Sequence, residues 1–235
     1  MIKENLKVIN EKIKKAEVKA GRKPDSVRLM AVSKFHPAED VIQALQAGQT
    51  LFGENRVQEA REKFPAIVKD FPAAELHIIG NLQSNKVKHA VEIASCIQSV
   101  DRIELLPLIE KSCVNFEKKI KVLFEIHTAE DSKSGFEGEE DIRKVMDDFR
   151  KNLFPHVIPC GFMTMAPFTD DEEAVRSSFR KAVSIAERIK SDYHEFNLNE
   201  LSMGMSNDFE IAIEEGSTLV RIGTAIFGER DYSKK

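Results

Sequence analysis

Apolar residues at Ile2, Leu6, Ile9, Ile13, Ala16 and Ala20 recur at three- and four-residue steps, which places one apolar stripe on a helix with mixed charge opposite. Gly21 and Pro24 stop that pattern, so a helix is expected over residues 1–21. Its balanced charge and lack of aromatic anchors assign the stripe to packing on a protein core rather than to a membrane surface. From Val27 onward the pattern changes. Short, nearly continuous apolar runs predict strands at Val27–Ser33, Thr50–Gly53, Leu76–Gly80, Cys96–Val100, Ile120–Ile126, Val157–Met163, Glu200–Met203 and Leu219–Ile222. Amphipathic stretches between them predict helices at Ala38–Ala47, Val57–Lys69, Lys86–Ala94, Ile103–Phe116, Glu139–Lys151, Asp171–Lys190 and Phe209–Glu214.

Strand-then-helix alternation implies parallel βαβ units, and eight repeats imply an α/β fold closed as a single (β/α)8 TIM-type barrel with an extra N-terminal helix. An open doubly wound sheet would carry a glycine-rich first turn, and none follows Val27–Ser33. No linker or composition break interrupts the pattern, so residues 1–235 are expected to form one barrel domain.

Composition narrows the function classes. The chain of 235 residues carries a formal net charge of −4, which gives no global attraction for nucleic acid or an anionic membrane. The cluster Lys118, Lys119, Lys121 has no interleaved aromatics and reads as a solvated helix end. Three cysteines without a C-x-x-C pair argue against a disulfide framework or a cysteine zinc site. The charged N-terminus has no apolar signal core, so a cytoplasmic location is expected.

In such barrels the chemistry sits at the C-terminal ends of the strands. Lys34 directly follows the apolar run LMAVS. A lysine starting inside a barrel is costly to keep as a cation, which favours a free amine and imine chemistry. The other reading of Lys34 is a lysine that reaches past the rim into water. SMGMSND supplies the hydroxyls of Ser202 and Ser206, and Arg221-Ile222-Gly223-Thr224 supplies a guanidinium, a glycine and another hydroxyl. These segments fall after strands seven and eight, where barrels frequently hold phosphate. SMGMSND also reads as a turn with Ser206, Asn207 or Asp208 capping the next helix. A hydrolase elbow, a zinc-protease helix and a P-loop all fail on spacing.

AVSKFHP, FGENRVQEA, HIIGNLQSNK, EDSKSGF, GFMTM and LSMGMSNDFEIAIEEGSTLVRIGTAIFGER together resemble, in order and spacing, the pyridoxal phosphate homeostasis proteins (the YggS/PROSC group). The resemblance covers essentially the whole chain. It implies the fold of the alanine racemase N-terminal domain, pyridoxal 5′-phosphate as cofactor, and a role in cofactor homeostasis without established turnover. It further implies that Lys34 is the imine lysine, that Arg221 faces the pyridine nitrogen, and that Ser202, Gly223 and Thr224 cradle phosphate, with Asn55 near the ring. Lys133 in EDSKSGF is expected on the loop after strand five as an accessory lysine, and Ser206 as an accessory hydroxyl. Two positions depart from the pattern: Phe35 stands where threonine is usual and Leu76 where tryptophan is usual, with Phe35 at the expected pocket rim.

A guanidinium beside the pyridine nitrogen disfavours its protonation and weakens the ring as an electron sink. Tyr193 and Tyr232 are the only tyrosines, neither near a strand end, and no second domain is expected to supply an opposing base. The expected function is therefore cofactor holding and delivery to apo-enzymes. The alternative is an amino-acid racemase or lyase dependent on the same cofactor.

Overall fold

A computed structural model describes residues 1–128 and 134–229. Eight parallel strands close in sequence order: β1 (Arg28–Val32), β2 (Leu51–Glu54), β3 (Glu75–Ile78), β4 (Cys96–Val100), β5 (Ile120–Glu125), β6 (Val157–Met163), β7 (Glu200–Ser202) and β8 (Leu219–Ile222). β8 returns to β1 with Met30 opposite Arg221 and Ala31 opposite Ile222, which closes the barrel. The helices are α1 (Ile2–Lys19), α2 (Ala38–Gln46), α3 (Val57–Asp70), α4 (Val87–Ile93), α5 (Leu105–Asn115), α6 (Glu139–Arg150), α7 (Glu172–Asp192), α8 (Phe209–Glu214) and the single turn α9 (Thr224–Phe227). The expected fold class is the one observed.

Differences from the sequence reading lie at element ends. Several strands are one or two residues shorter, the fourth helix is entered through a 3-10 turn at Ser84–Lys86, and α9 was not anticipated. The single turn α9 buries only Ile226 and Phe227. The wall beside it is completed by α1, which packs against α8, α9 and α2 through its predicted stripe. Asn5 Nδ2 donates to Ile226 O at 2.8 Å. Buried Glu17 accepts from the N–H groups of Asp25 (2.9 Å) and Val27 (2.7 Å), which ties the end of α1 to the entry of β1. No helix of the described residues is long and apolar enough to cross a membrane.

The main apolar core lies between strands and helices and includes Ala31, Phe52, Phe64, Phe124, Phe162 and Phe179. The barrel lumen is different. Two small apolar groups, Met30–Leu51–Leu219 and Cys96–Leu123–Met163, share it with buried polar side chains. Cys96, Cys113 and Cys160 are free thiols.

Candidate functional site

A chain of hydrogen bonds crosses the lumen. Arg221 Nη1 donates to Ser202 Oγ (2.8 Å), Ser202 Oγ to Gln98 Oε1 (2.7 Å), and Gln98 Nε2 to His77 Nδ1 (2.8 Å). β4 and β7 are not neighbours in the sheet, so the Ser202–Gln98 bond can only run through the interior. Burial pushes the His77 imidazole down to about 3, with Arg28 and Lys121 adding repulsion. The ring is therefore neutral, and its Nδ1 lone pair accepts the bond from Gln98.

Arg221 heads this chain. It is 4% exposed, and its guanidinium also donates to Ser202 O (2.8 Å) and Thr164 O (2.9 Å). All three acceptors are uncharged. Two further N–H groups, on Nε and Nη2, have no hydrogen-bond acceptor among the described residues. Burial lowers its pKa to about 10, against the pull of Asp208 and Glu125, so it remains a cation at neutral pH. A buried cation with uncommitted donors is the kind of group that an acceptor on a ligand satisfies.

The rim residues follow from the register. Val32 pairs with Gly53 and Ala31 with Ile222, so the ends of β8, β1 and β2 lie side by side. This arc brings together Gly223 and Thr224 after β8, half-buried Lys34 after β1 and half-buried Asn55 after β2. A Cβ on Gly223 would stand 3.0 Å from Val32 O, so only a bare backbone passes that closely. Thr224 is exposed at the start of α9, whose first bond runs from Ile226 N to Gly223 O (2.8 Å). The N–H groups of Thr224 and Ala225 precede that bond, so no carbonyl of the turn takes them. Gly80 holds Asn55 in place, since a Cβ there would meet Asn55 O at 2.4 Å.

Other anticipated residues stand elsewhere. The Ser202 hydroxyl is fully buried, giving one bond and receiving another inside the lumen, so it supports Arg221 from below the rim. Ser206 is half-buried in the loop before α8. Asp208 occupies the N-cap position of α8, but its carboxylate accepts from Met205 N–H at 2.5 Å, so it closes the turn rather than capping the helix. Phe35 is half-buried with φ 66°, its ring beneath the Arg56 guanidinium at 5.2 Å. Leu76 is buried in the strand–helix core. Lys133 lies outside the described residues.

Two buried carboxylates escaped the sequence reading. Glu125, at the end of β5, is 2% exposed and accepts from Ser134 Oγ at 3.1 Å. Burial pushes it up to about 7, with Asp101 adding repulsion while Ser134 and Arg221 pull downward. Glu54, at the end of β2, is completely buried and reaches about 7 for the same first reason. Its Oε1 takes the Ser33 hydroxyl (2.7 Å) and Lys63 Nζ (2.6 Å). The available signal was a lone polar residue inside an apolar run: Gln98 in CIQSV, Glu125 in IKVLFEI.

Residues 2–231 match the model of the alanine racemase N-terminal domain. A pyridoxal phosphate homeostasis protein of Pasteurella multocida is 41% identical, the alignment covering 99% of both chains. One from Aquifex aeolicus is 40% identical over 97% of this chain and 98% of its own. Among solved structures, PipY of Synechococcus elongatus with PLP bound is 33% identical and superposes with a TM-score of 0.83, covering 97% of this chain and all of PipY.

Proposed function

The chain belongs to the pyridoxal phosphate homeostasis proteins, built on the alanine racemase N-terminal fold, and from that premise we propose that it holds pyridoxal 5′-phosphate through an imine with Lys34 and delivers it to apo-enzymes without turning over amino acids. The observation that carries this reading is the buried Arg221 guanidinium beside the rim formed by β8, β1 and β2, with two N–H groups that none of the described residues accepts. PipY, an overall relative at 33% identity, was solved with the cofactor, which supports the same occupant here.

Each residue of this chain then has a task. Arg221 presents donors, and no proton, to an aromatic nitrogen acceptor, because a guanidinium stays charged at neutral pH. Ser202, Gln98 and His77 hold Arg221 from below. Gly223, the exposed Thr224 hydroxyl and the Thr224 and Ala225 N–H groups receive the phosphate at the start of α9. Asn55 borders the ring from β2, and Lys34 provides the amine. When bound, the cofactor supplies an aldehyde carbon that exchanges between amines. Lys133 and Ser206 remain accessory candidates.

The absence of turnover rests on two features. A guanidinium against the ring nitrogen gives a weak electron sink. Tyr193 is buried among the helices, donating to Asp147 Oδ1 at 2.9 Å, so it is not placed to act as a base at the rim. The test is to load the purified protein with the cofactor and incubate it with each common amino acid in deuterated water. Stoichiometric visible absorbance without α-proton exchange is expected. Robust Lys34-dependent exchange or racemisation would establish an enzyme instead.

A further inference from the structure

The turn that carries Lys34 is unusual. His36 N donates to Ser33 O at 3.1 Å, closing a four-residue turn with Lys34 and Phe35 at its centre. Phe35 sits at φ 66°, a left-handed conformation that side chains other than glycine rarely adopt. Something must hold it there.

The holding groups come from one face of α3. Glu59 Oε1 accepts the Phe35 N–H at 2.6 Å. Lys63 Nζ, four residues on, donates to Ser33 O and to His36 O, both at 2.9 Å, and pairs with Glu59 at 2.8 Å. Lys63 in turn rests on buried Glu54, which also takes the Ser33 hydroxyl. With Ser33 N bonded to Gly53 O at 3.1 Å, the backbone on both sides of Lys34 is tied down. Ser33 points its hydroxyl into the strand–helix layer, and Lys34 follows it in the turn, half-buried at the rim.

We propose that Glu59 and Lys63 are positioning residues for Lys34: they lock the Ser33–His36 turn, with Phe35 left-handed, and so fix the base of the Lys34 side chain at the rim. Strain held by surrounding contacts next to a reactive side chain is a recurring device at functional sites. This inference rests on Lys34 being the attachment lysine. The rival explanation is that the same charges simply fasten α3 to the barrel.

Phe35→Gly separates the two, because glycine keeps a left-handed φ without help. In Glu59→Leu the Phe35 amide loses its acceptor. Its hydrogen exchange in the cofactor-free protein should accelerate, and loading by pyridoxal 5′-phosphate, followed by absorbance, should slow about tenfold, the equivalent of relaxing one left-handed residue. Glu59→Gln keeps an acceptor and should load within about twofold of the unmodified protein. Glu59→Leu combined with Phe35→Gly should recover the loading rate. Unchanged exchange and loading in Glu59→Leu would overturn the proposal, as would a double variant that loads no faster than Glu59→Leu. Where Glu59→Leu alone does not fold, the double variant carries the test: it folds and loads if the clamp serves the turn, and fails if the clamp serves α3 packing. Borohydride labelling of the unmodified protein on a lysine other than Lys34 would instead remove the underlying attachment reading, while the exchange measurement still judges the clamp.

Discussion

Replacing Glu125 with glutamine exchanges a buried carboxyl for an amide of the same shape, which still accepts from Ser134. Burial raises the folded carboxyl from 4.5 to about 7, so between those values the folded state binds more protons than the unfolded chain. The sign follows directly: Glu125 costs nothing while protonated in both states, and its cost grows as pH rises through this window and is complete above about 7. A shift of that size corresponds to on the order of 3 kcal/mol at pH 8, already net of the attraction from Arg221. Glu54 titrates over the same window but is present in both proteins, so the difference between them isolates Glu125. The chain has no tryptophan, so urea unfolding followed by far-ultraviolet circular dichroism suits it. Glu125→Gln should match the unmodified protein at pH 4 and exceed it by about 2–3 kcal/mol at pH 8 without cofactor. A variant no more stable at pH 8 would refute the reasoning and mean that the charged carboxylate is well compensated, with Arg221 as its partner.

Ser202→Ala leaves Gln98 Oε1 without its donor inside the lumen, so it should lower stability by about 1–3 kcal/mol in thermal or urea unfolding. Thr224→Ala, at an exposed rim position, should leave stability within about 0.5 kcal/mol. It should instead weaken pyridoxal 5′-phosphate far more than pyridoxal in parallel binding titrations; equal losses would place the phosphate elsewhere. Gly80→Ala forces a Cβ against Asn55 O at 2.4 Å, so β2's end must shift. Cofactor affinity should fall at least about tenfold with the barrel still folded, a loss typical of overpacking at a tight contact.

Much of the barrel was readable because parallel strands buried on both faces appear as continuous apolar runs, and all eight were found within three residues of their ends. The rim arc of Lys34, Asn55, Gly223 and Thr224 was readable because each residue lies within two positions of the end of such a run. What lay inside the lumen was not. β7 is only Glu200–Ser202, too short for period-two alternation to reveal that Ser202 points inward to Gln98. Gln98 and Glu125 stand out from their apolar neighbours, yet their partners come from strands far away in sequence. Lys63 and Glu59 look like any exposed helix pair four apart, and only the packing of α3 against the end of β1 turns them inward. α9 was missed because four residues carry no helical period.

The central claim is covalent attachment at Lys34. The direct measurement is borohydride reduction of the cofactor-loaded protein, digestion and mass mapping of the modified peptide. Modification of one lysine, Lys34, with loss of the label in Lys34→Ala, is the predicted result. A label chiefly on Lys133 or another lysine, or none at all, would contradict it.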